Sequence, residues 1–278
     1  MPVVDVRSLG FCTDLMVRRL AGSEIVDRGD YLLVRSSDFP DYYWGNFILV
    51  SESSSDDAER CLGMFATWFP NAEHVAIGVD GTDGRVGDAA GFSALGVTTE
   101  VGSVLTTDTT PRVRRPNTTA LFRPLRSSDD WLQLAELHQR VDIDAGQDSP
   151  EHLSFIDRKA EESRMLSLTG RAEYFGAFVG ERLTSSLGIV SDGNGTARFQ
   201  VVVTHPESRR QGLAGTLVAM AEIFGLDQMG CRRLVILADP DGPAVGLYRA
   251  LGFSGDELAV QLLRPPSATW SRQRQPGS

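Results

Sequence analysis

The run Val201-Val202-Val203-Thr204-His205-Pro206-Glu207-Ser208-Arg209-Arg210-Gln211-Gly212-Leu213-Ala214-Gly215 decides how this chain is read. Three valines and a threonine have the β-branched composition of a strand. Pro206 ends it, because proline cannot donate to a ladder. From Thr216 to Met229, Leu217, Met220, Ala221 and Phe224 recur on one helical face, so the run is a strand, a polar loop and the mouth of a helix. The first turn of a helix leaves backbone N–H groups without partners and carries partial positive charge, so an anion is its natural cap. Gly212 and Gly215 let backbone approach a ligand where a Cβ would intrude, and Ala214 is the next smallest choice. Arg209 and Arg210 add guanidinium donors suited to phosphate. Such a loop has the makings of a pyrophosphate site; taken by itself, an ordinary strand-to-helix turn with a glycine is the alternative.

Downstream, Arg233-Leu234-Val235-Ile236-Leu237-Ala238 reads as a strand buried on both faces. Ala244-Val245-Gly246-Leu247-Tyr248-Arg249-Ala250-Leu251-Gly252-Phe253 reads as a short helix closed by a glycine and followed by another strand. The spacing Arg209-x-x-Gly212-x-Ala214 resembles the Gln/Arg-x-x-Gly-x-Gly/Ala signature of the GNAT N-acetyltransferase superfamily. The later run resembles that family's Asn-x-x-Ala-x-x-Leu-Tyr-x-x-Leu-Gly-Phe, with Asp241 where asparagine is frequent. The resemblance implies acetyl-CoA as co-substrate, with its diphosphate on the amides of Arg209, Arg210, Gln211, Gly212, Leu213, Ala214 and Gly215. It also implies that the backbone of Val202, Val203 and Thr204 pairs with the pantetheine arm. Tyr248 takes the family's general-acid position, protonating the departing thiolate; a phenol pKa near ~10 suits that task. Packing in the helix core is the alternative role for Tyr248.

The remaining elements follow the GNAT order, so the expected fold is mixed α/β, a largely antiparallel sheet flanked by helices. Leu121-Phe122-Arg123-Pro124-Leu125 is a first strand, and Ser127 or Ser128 caps a helix from Asp129 to about Arg140. A second helix starts at Ser149-Pro150-Glu151, with proline in its tolerated first turn. Ala172 to Val179 and Leu183 to Val190 are strands joined at Gly180-Glu181-Arg182, and Asp192-Gly193-Asn194-Gly195 turns back into the strand ending at Thr204.

The polar, proline-containing stretch from Ser103 to Thr119 marks a domain boundary. We therefore expect a smaller α/β domain over residues 1–110, a complete GNAT domain over 119–264 and a loose tail over 265–278. In the first segment, Glu24 to Val34, Tyr42 to Val50 and His74 to Val79 read as strands. Ala58, Cys61, Leu62, Phe65, Trp68 and Phe69 recur at helical spacing. His74 to Asp80 followed by Gly91-Phe92 parallels Arg233 to Asp239 followed by Gly252-Phe253, so the segment resembles an eroded GNAT half without the phosphate loop. Convergent patterning is the alternative. The aromatic start Tyr42-Tyr43-Trp44-Gly45-Asn46-Phe47 is read as core packing, with a groove lining as the other choice.

Composition narrows the partners. A formal charge of −10 argues against nucleic acid or an anionic membrane and is compatible with a cationic acceptor. Cys12, Cys61 and Cys231 are odd in number and widely spaced, and His74, His138, His152 and His205 fall in different elements, so neither disulfides nor a metal site is expected. A cytoplasmic location and a small-molecule or peptide amine acceptor are expected; oligomeric state is left open. The base for the amine is not evident: Gln200 stands where many relatives place glutamate, and an amide is no base near neutral pH. Glu173 acting through water is a substitute, and a solvated strand-end carboxylate is the simpler account of it. Asp142, Asp144 and Asp148 lie where the family shapes its acceptor site, and a solvated acidic loop is the simpler account. The rival function is a non-catalytic acyl-CoA-binding or regulatory module. A Rossmann enzyme fits less well, since Gly212-Leu213-Ala214-Gly215 does not complete Gly-x-Gly-x-x-Gly.

Overall fold

The computed structural model describes residues 5–111 and 115–265; the expected tail beyond Pro265 lies outside them. In chain order the elements are α1 (Leu9–Leu20), β1 (Glu24–Asp27), β2 (Tyr31–Arg35), β3 (Phe47–Ser51), α2 (Ala58–Trp68), β4 (Val75–Asp80), α3 (Ala89–Ala94) and β5 (Thr98–Thr107). They continue with β6 (Leu121–Pro124), α4 (Ser128–Asp144), α5 (Pro150–Leu168), β7 (Ala172–Val179), β8 (Arg182–Ser191) and β9 (Thr196–Thr204). The last are α6 (Leu213–Ile223), β10 (Arg233–Ala238), α7 (Pro243–Leu251) and β11 (Ser254–Arg264). The chain divides into two compact units, one running to Val104 and resuming at Gly255, the other spanning Leu105–Ser254.

In the first unit the strand order is β1-β2-β3-β4-β11-β5. The last strand among the described residues returns to this unit: β11 pairs antiparallel with β4, Val260 opposite Val79 and Arg264 opposite Val75. The span expected as one strand from Glu24 to Val34 is a hairpin, turned at Gly29 (φ +83°), whose N–H donates to Asp27 Oδ1 at 2.7 Å. Tyr43–Gly45 forms a 3-10 turn rather than strand, and β3 begins only at Phe47. Tyr43 stacks on buried His74 with ring centroids 4.2 Å apart, so these aromatics pack within the unit. Helix α1 has no counterpart in the sequence reading. Its N-terminal amides are held by carboxylates, Ser8 N–H donating to Asp80 at 2.9 Å and Gly10 N–H to Glu257 at 3.0 Å. The stretch from Ser103, read as linker, begins as the second half of β5; threonine is a good strand former.

In the second unit the order is β10-β9-β8-β7-β6, antiparallel except for the parallel pair β10/β9. β7 has the expected bounds, and α4 and α5 start at the expected caps. Ser127 Oγ accepts from Asp130 N–H while the Asp130 carboxylate accepts from Ser127 N–H, a reciprocal box. Arg123 clamps the same carboxylate through two bonds of 2.8 and 2.7 Å and holds it well below the usual carboxylate range. Phe175, Leu187, Ile189, Phe199, Leu217, Leu234, Ile236 and Leu251 fill a core with α6 and α7 on one face of the sheet. α6 continues past Ile223 into a π-helical turn, Phe224–Gln228, so the predicted helix to Met229 is present but rewound at its end.

Candidate functional site

The loop after β9 is shaped by two left-handed residues. Gly212 has φ +78° and Arg210 has φ +62°, and Arg210 is the one non-glycine with positive φ among the described residues. A side-chain-bearing residue held there is strained by about 1–2 kcal/mol, which persists only where surroundings impose it. Gly212 is the N-cap of α6 and offers no side-chain oxygen, so no side-chain cap occupies that helix mouth. Among the described residues no carboxylate pairs with Arg209 or Arg210; Arg209 Nε makes only a long contact of 3.4 Å to Thr204 O. Gly215 is buried, and a Cβ there would stand 3.2 Å from Leu247, so its smallness lets α7 approach α6.

A strap from the preceding linker braces this loop. Asn117 Nδ2 donates to Gln211 O at 2.8 Å, and its backbone N–H donates to Thr216 Oγ1 at 2.9 Å. Arg115 O lies 3.4 Å from where a Cβ on Gly212 would stand, so the strap also crowds that position against any side chain.

β9 and β10 part company along their length. Their ladder covers Thr196–Arg198 against Arg233–Val235 and no further, although the strands run on to Thr204 and Ala238. From Phe199 onward β9 keeps only its β8 side, with Val203 opposite Ser186 and Thr204 opposite Ser185. Ser185 Oγ also bonds Val203 O at 2.7 Å and Thr204 Oγ1 at 2.8 Å, fixing the end of the strand that feeds the loop. The register shifts between Ser186 and Gly188: Val201 and Val202 of β9 stand against the single Leu187 of β8, so β9 carries the extra residue and bends where the splay opens. Val202, Val203 and Thr204 thus lie on a strand whose second edge is not used by its neighbour.

The first unit supplies an internal control. Its matching parallel pair stays zipped to the end, from Ile48 opposite Ile77 to Ser51 opposite Asp80. The segment after β3 is Glu52-Ser53-Ser54-Ser55-Asp56-Asp57, and the mouth of α2 is filled by its own acids: Asp57 accepts from Arg60 N–H at 2.9 Å and Asp88 from Ala58 N–H at 3.4 Å. An anion has no opening there. The glycine parallel needs correcting: Gly91-Phe92 lies inside α3, whereas Gly96-Val97 follows it. Val97 N–H bonds Phe92 O at 2.9 Å beside Gly96 (φ +74°), as Phe253 N–H bonds Tyr248 O at 3.1 Å beside Gly252 (φ +117°). Both are the same helix-ending motif, which makes Phe92 the counterpart of Tyr248.

Tyr248 sits on α7, 1% exposed, with its ring 6.0 Å from that of Phe253. Burial pushes its phenol upward, so the group stays neutral. The helix enters through Asp239, whose Oδ1 accepts from Asp241 N–H at 3.0 Å, and then Gly242 and Pro243. Asp241 therefore joins a tight turn.

The base candidates fare differently. Glu173 is held by Arg126 through two short bonds of 2.5 and 2.7 Å, and it pairs with Ile189, four residues along β8 from Ser185. That partner and that place take it out of the candidate base role. Asp142 Oδ2 lies 2.9 Å from His152 Nε2, from which it accepts, while Asp144 and Asp148 are exposed. Gln200 is half-buried with its Nε2 on Phe199 O at 3.2 Å. Among the described residues no cluster of acids, histidines and cysteines could hold a metal ion, and no helix is long and apolar enough to cross a membrane.

Residues 131–253 match the model of the acetyltransferase (GNAT) family. Among solved structures, a functionally unknown conserved protein from Staphylococcus epidermidis ATCC 12228 is similar at TM-score 0.64 and 12% identity, covering 88% of this chain and 95% of that one. A GCN5-related N-acetyltransferase from Kribbella flavida is similar at TM-score 0.63 and 13% identity, over 95% of this chain and 97% of that one. A tandem GNAT protein from the clavulanic acid biosynthesis pathway is similar at TM-score 0.53 and 15% identity, over 91% and 89%. No curated protein matches the sequence.

Proposed function

We propose, for a chain whose residues 131–253 form a domain of the GNAT acetyltransferase family, that the second unit transfers an acetyl group from acetyl-CoA to an amine. The observation that carries this reading is the pairing of an uncapped α6 mouth at Gly212 with the splayed end of β9, both missing from the corresponding place in the first unit. The amides of Gln211 to Ala214, with Arg209 and Arg210 beside them, bind the diphosphate. The open edge of Val202, Val203 and Thr204 pairs with the amide-bearing arm, as an added strand would.

Acetyl-CoA supplies the activated acyl group. The residues of this chain orient it and donate backbone hydrogen bonds toward the carbonyl oxygen as the amine nitrogen bonds to the acyl carbon; as the carbon–sulfur bond breaks, the Tyr248 proton goes to sulfur, and the proton shed by the amine passes to solvent, which reprotonates the phenol. The acceptor is a primary amine on a small molecule or peptide, and the net charge of −10 favours a cationic one. A cytoplasmic setting suits this chemistry. Steady-state assays with acetyl-CoA and a panel of amines test the reading: thiol release with at least one amine is expected, and Tyr248→Phe lowers kcat tenfold or more with an unchanged Kd for CoA. Coenzyme A binding without transfer to any amine would favour the non-catalytic acyl-CoA module, and no binding would remove both.

A further inference from the structure

The second unit also has an open cavity of about 590 Å³ at the end of its sheet where β7 begins and β8 ends. Ser191, on its wall, is six residues along β8 from Ser185, the partner of Thr204 beside the phosphate loop. At 3.3 Å per residue that is roughly 20 Å, too far for one small ligand to reach both.

Trp131, Phe224 and Met229 form an apolar wall, and three arginines, Arg126, Arg164 and Arg171, face the cavity with a single acid, Glu173. The lining is thus net positive by two charges in a chain of net charge −10. Glu173 neutralises Arg126 through its two bonds. Arg171 spends one nitrogen, Nη1, on Asp192 O at 2.6 Å. Among the described residues Arg164 makes two long contacts, 3.5 Å to Ser128 Oγ and 3.7 Å to Glu161. A guanidinium has five N–H donors, so both keep donors in reserve. The π-helical turn that ends α6 brings Phe224, Gln228 and Met229 to this wall, and such turns give up regular helix bonding, a cost tolerated mostly where function needs the altered geometry.

We propose that this cavity is a second binding site, for an anionic amphiphile: a carboxylate or sulfonate head between Arg164 and Arg171, with an aryl or acyl body against Trp131, Phe224 and Met229. It fills independently of the phosphate loop, so it stands whether or not the acetyltransferase reading does.

The test titrates the full chain with 8-anilino-1-naphthalenesulfonate, followed by fluorescence, with and without saturating CoA. One saturable site is expected, retained with CoA, displaced by octanoate and not by octanol at equal concentration. Two variants locate it: the double substitution Arg164→Gln with Arg171→Gln weakens binding at least tenfold, and Met229→Trp, which fills the cavity without touching the charges, weakens it similarly. Absence of saturable binding, displacement by CoA mole for mole, equal displacement by octanol, or unchanged affinity in either variant would overturn the proposal.

Discussion

Glu222 sits on α6, the helix whose mouth is the candidate diphosphate site, and it is a carboxyl group with nowhere to put its charge. It is 0% exposed and both its oxygens lack a hydrogen-bond partner. Burial raises its pKa from the ordinary 4.5 to about 8. The folded chain therefore keeps this proton over a range in which the unfolded chain has released it, so stability falls as pH rises from about 4.5 to about 8. Integrating the linkage relation between those values gives close to zero at pH 4 and a loss of about 3 kcal/mol by pH 7, at a slope of up to about 1.4 kcal/mol per unit. Glu222→Gln keeps the size and does not titrate, so any packing penalty it brings is an offset that pH does not change. Urea unfolding followed by circular dichroism at pH 4, 5, 6 and 7 compares the two proteins. The difference cancels other titrating groups, including His74, which burial pushes down to about 4 and which acts in the opposite sense. The variant gains about 3 kcal/mol on the parent between pH 4 and 7. A difference that stays flat with pH would refute the reasoning and show that Glu222 is ionised in the folded chain.

Gly212→Ala places a side chain at φ +78° and against Arg115 O, so it costs about 1 kcal/mol of stability or more, and CoA affinity measured by calorimetry falls at least tenfold. Asn117→Ala removes the bond to Gln211 O and loosens the loop; the KM for acetyl-CoA rises several-fold while kcat at saturation stays within about twofold, given a net hydrogen-bond worth of roughly 1 kcal/mol. Asp130→Asn breaks the Arg123 clamp and half of the α4 cap, costing on the order of 2–3 kcal/mol at neutral pH. Because the folded carboxyl titrates below its ordinary value, that contribution is present above about pH 4 and fades as pH drops, so thermal melts of parent and variant converge in acid.

Much of the second unit was legible because its signals are local. β7 and β10 are apolar runs bounded by turn residues, and Ser127, Ser149 and Gly252 mark helix ends by chemistry that acts within a turn. The turn from β9 into α6 was legible for the same reason, down to the glycine at the α6 cap. What was not legible depends on partners distant in sequence. Nothing in Ser254–Arg264 says that it pairs with Val75–Asp80, since any buried strand would read alike. α1 escaped because its buried face includes Thr13 and Arg18, the latter 4.8 Å over the Tyr42 ring, which break the apolar stripe. The echo in the first unit lies one motif beyond Gly91-Phe92: a glycine's place is readable from sequence but its positive φ is not, and the positive φ at Gly96 identifies the counterpart of Gly252. Glu173 looked like a free strand-end acid because Arg126, 47 residues earlier, is its partner only in space.

The account turns on backbone amides at the start of α6 gripping the CoA diphosphate, and amide chemical shifts read those atoms directly. In nitrogen-15 spectra of the full chain titrated with CoA, the largest shifts are predicted at Gly212, Leu213 and Ala214, and titration with pantetheine, which lacks the diphosphate, leaves those three in place. Equal shifts with pantetheine, or shifts gathered instead around Ser51 to Ala58 in the first unit, would contradict it.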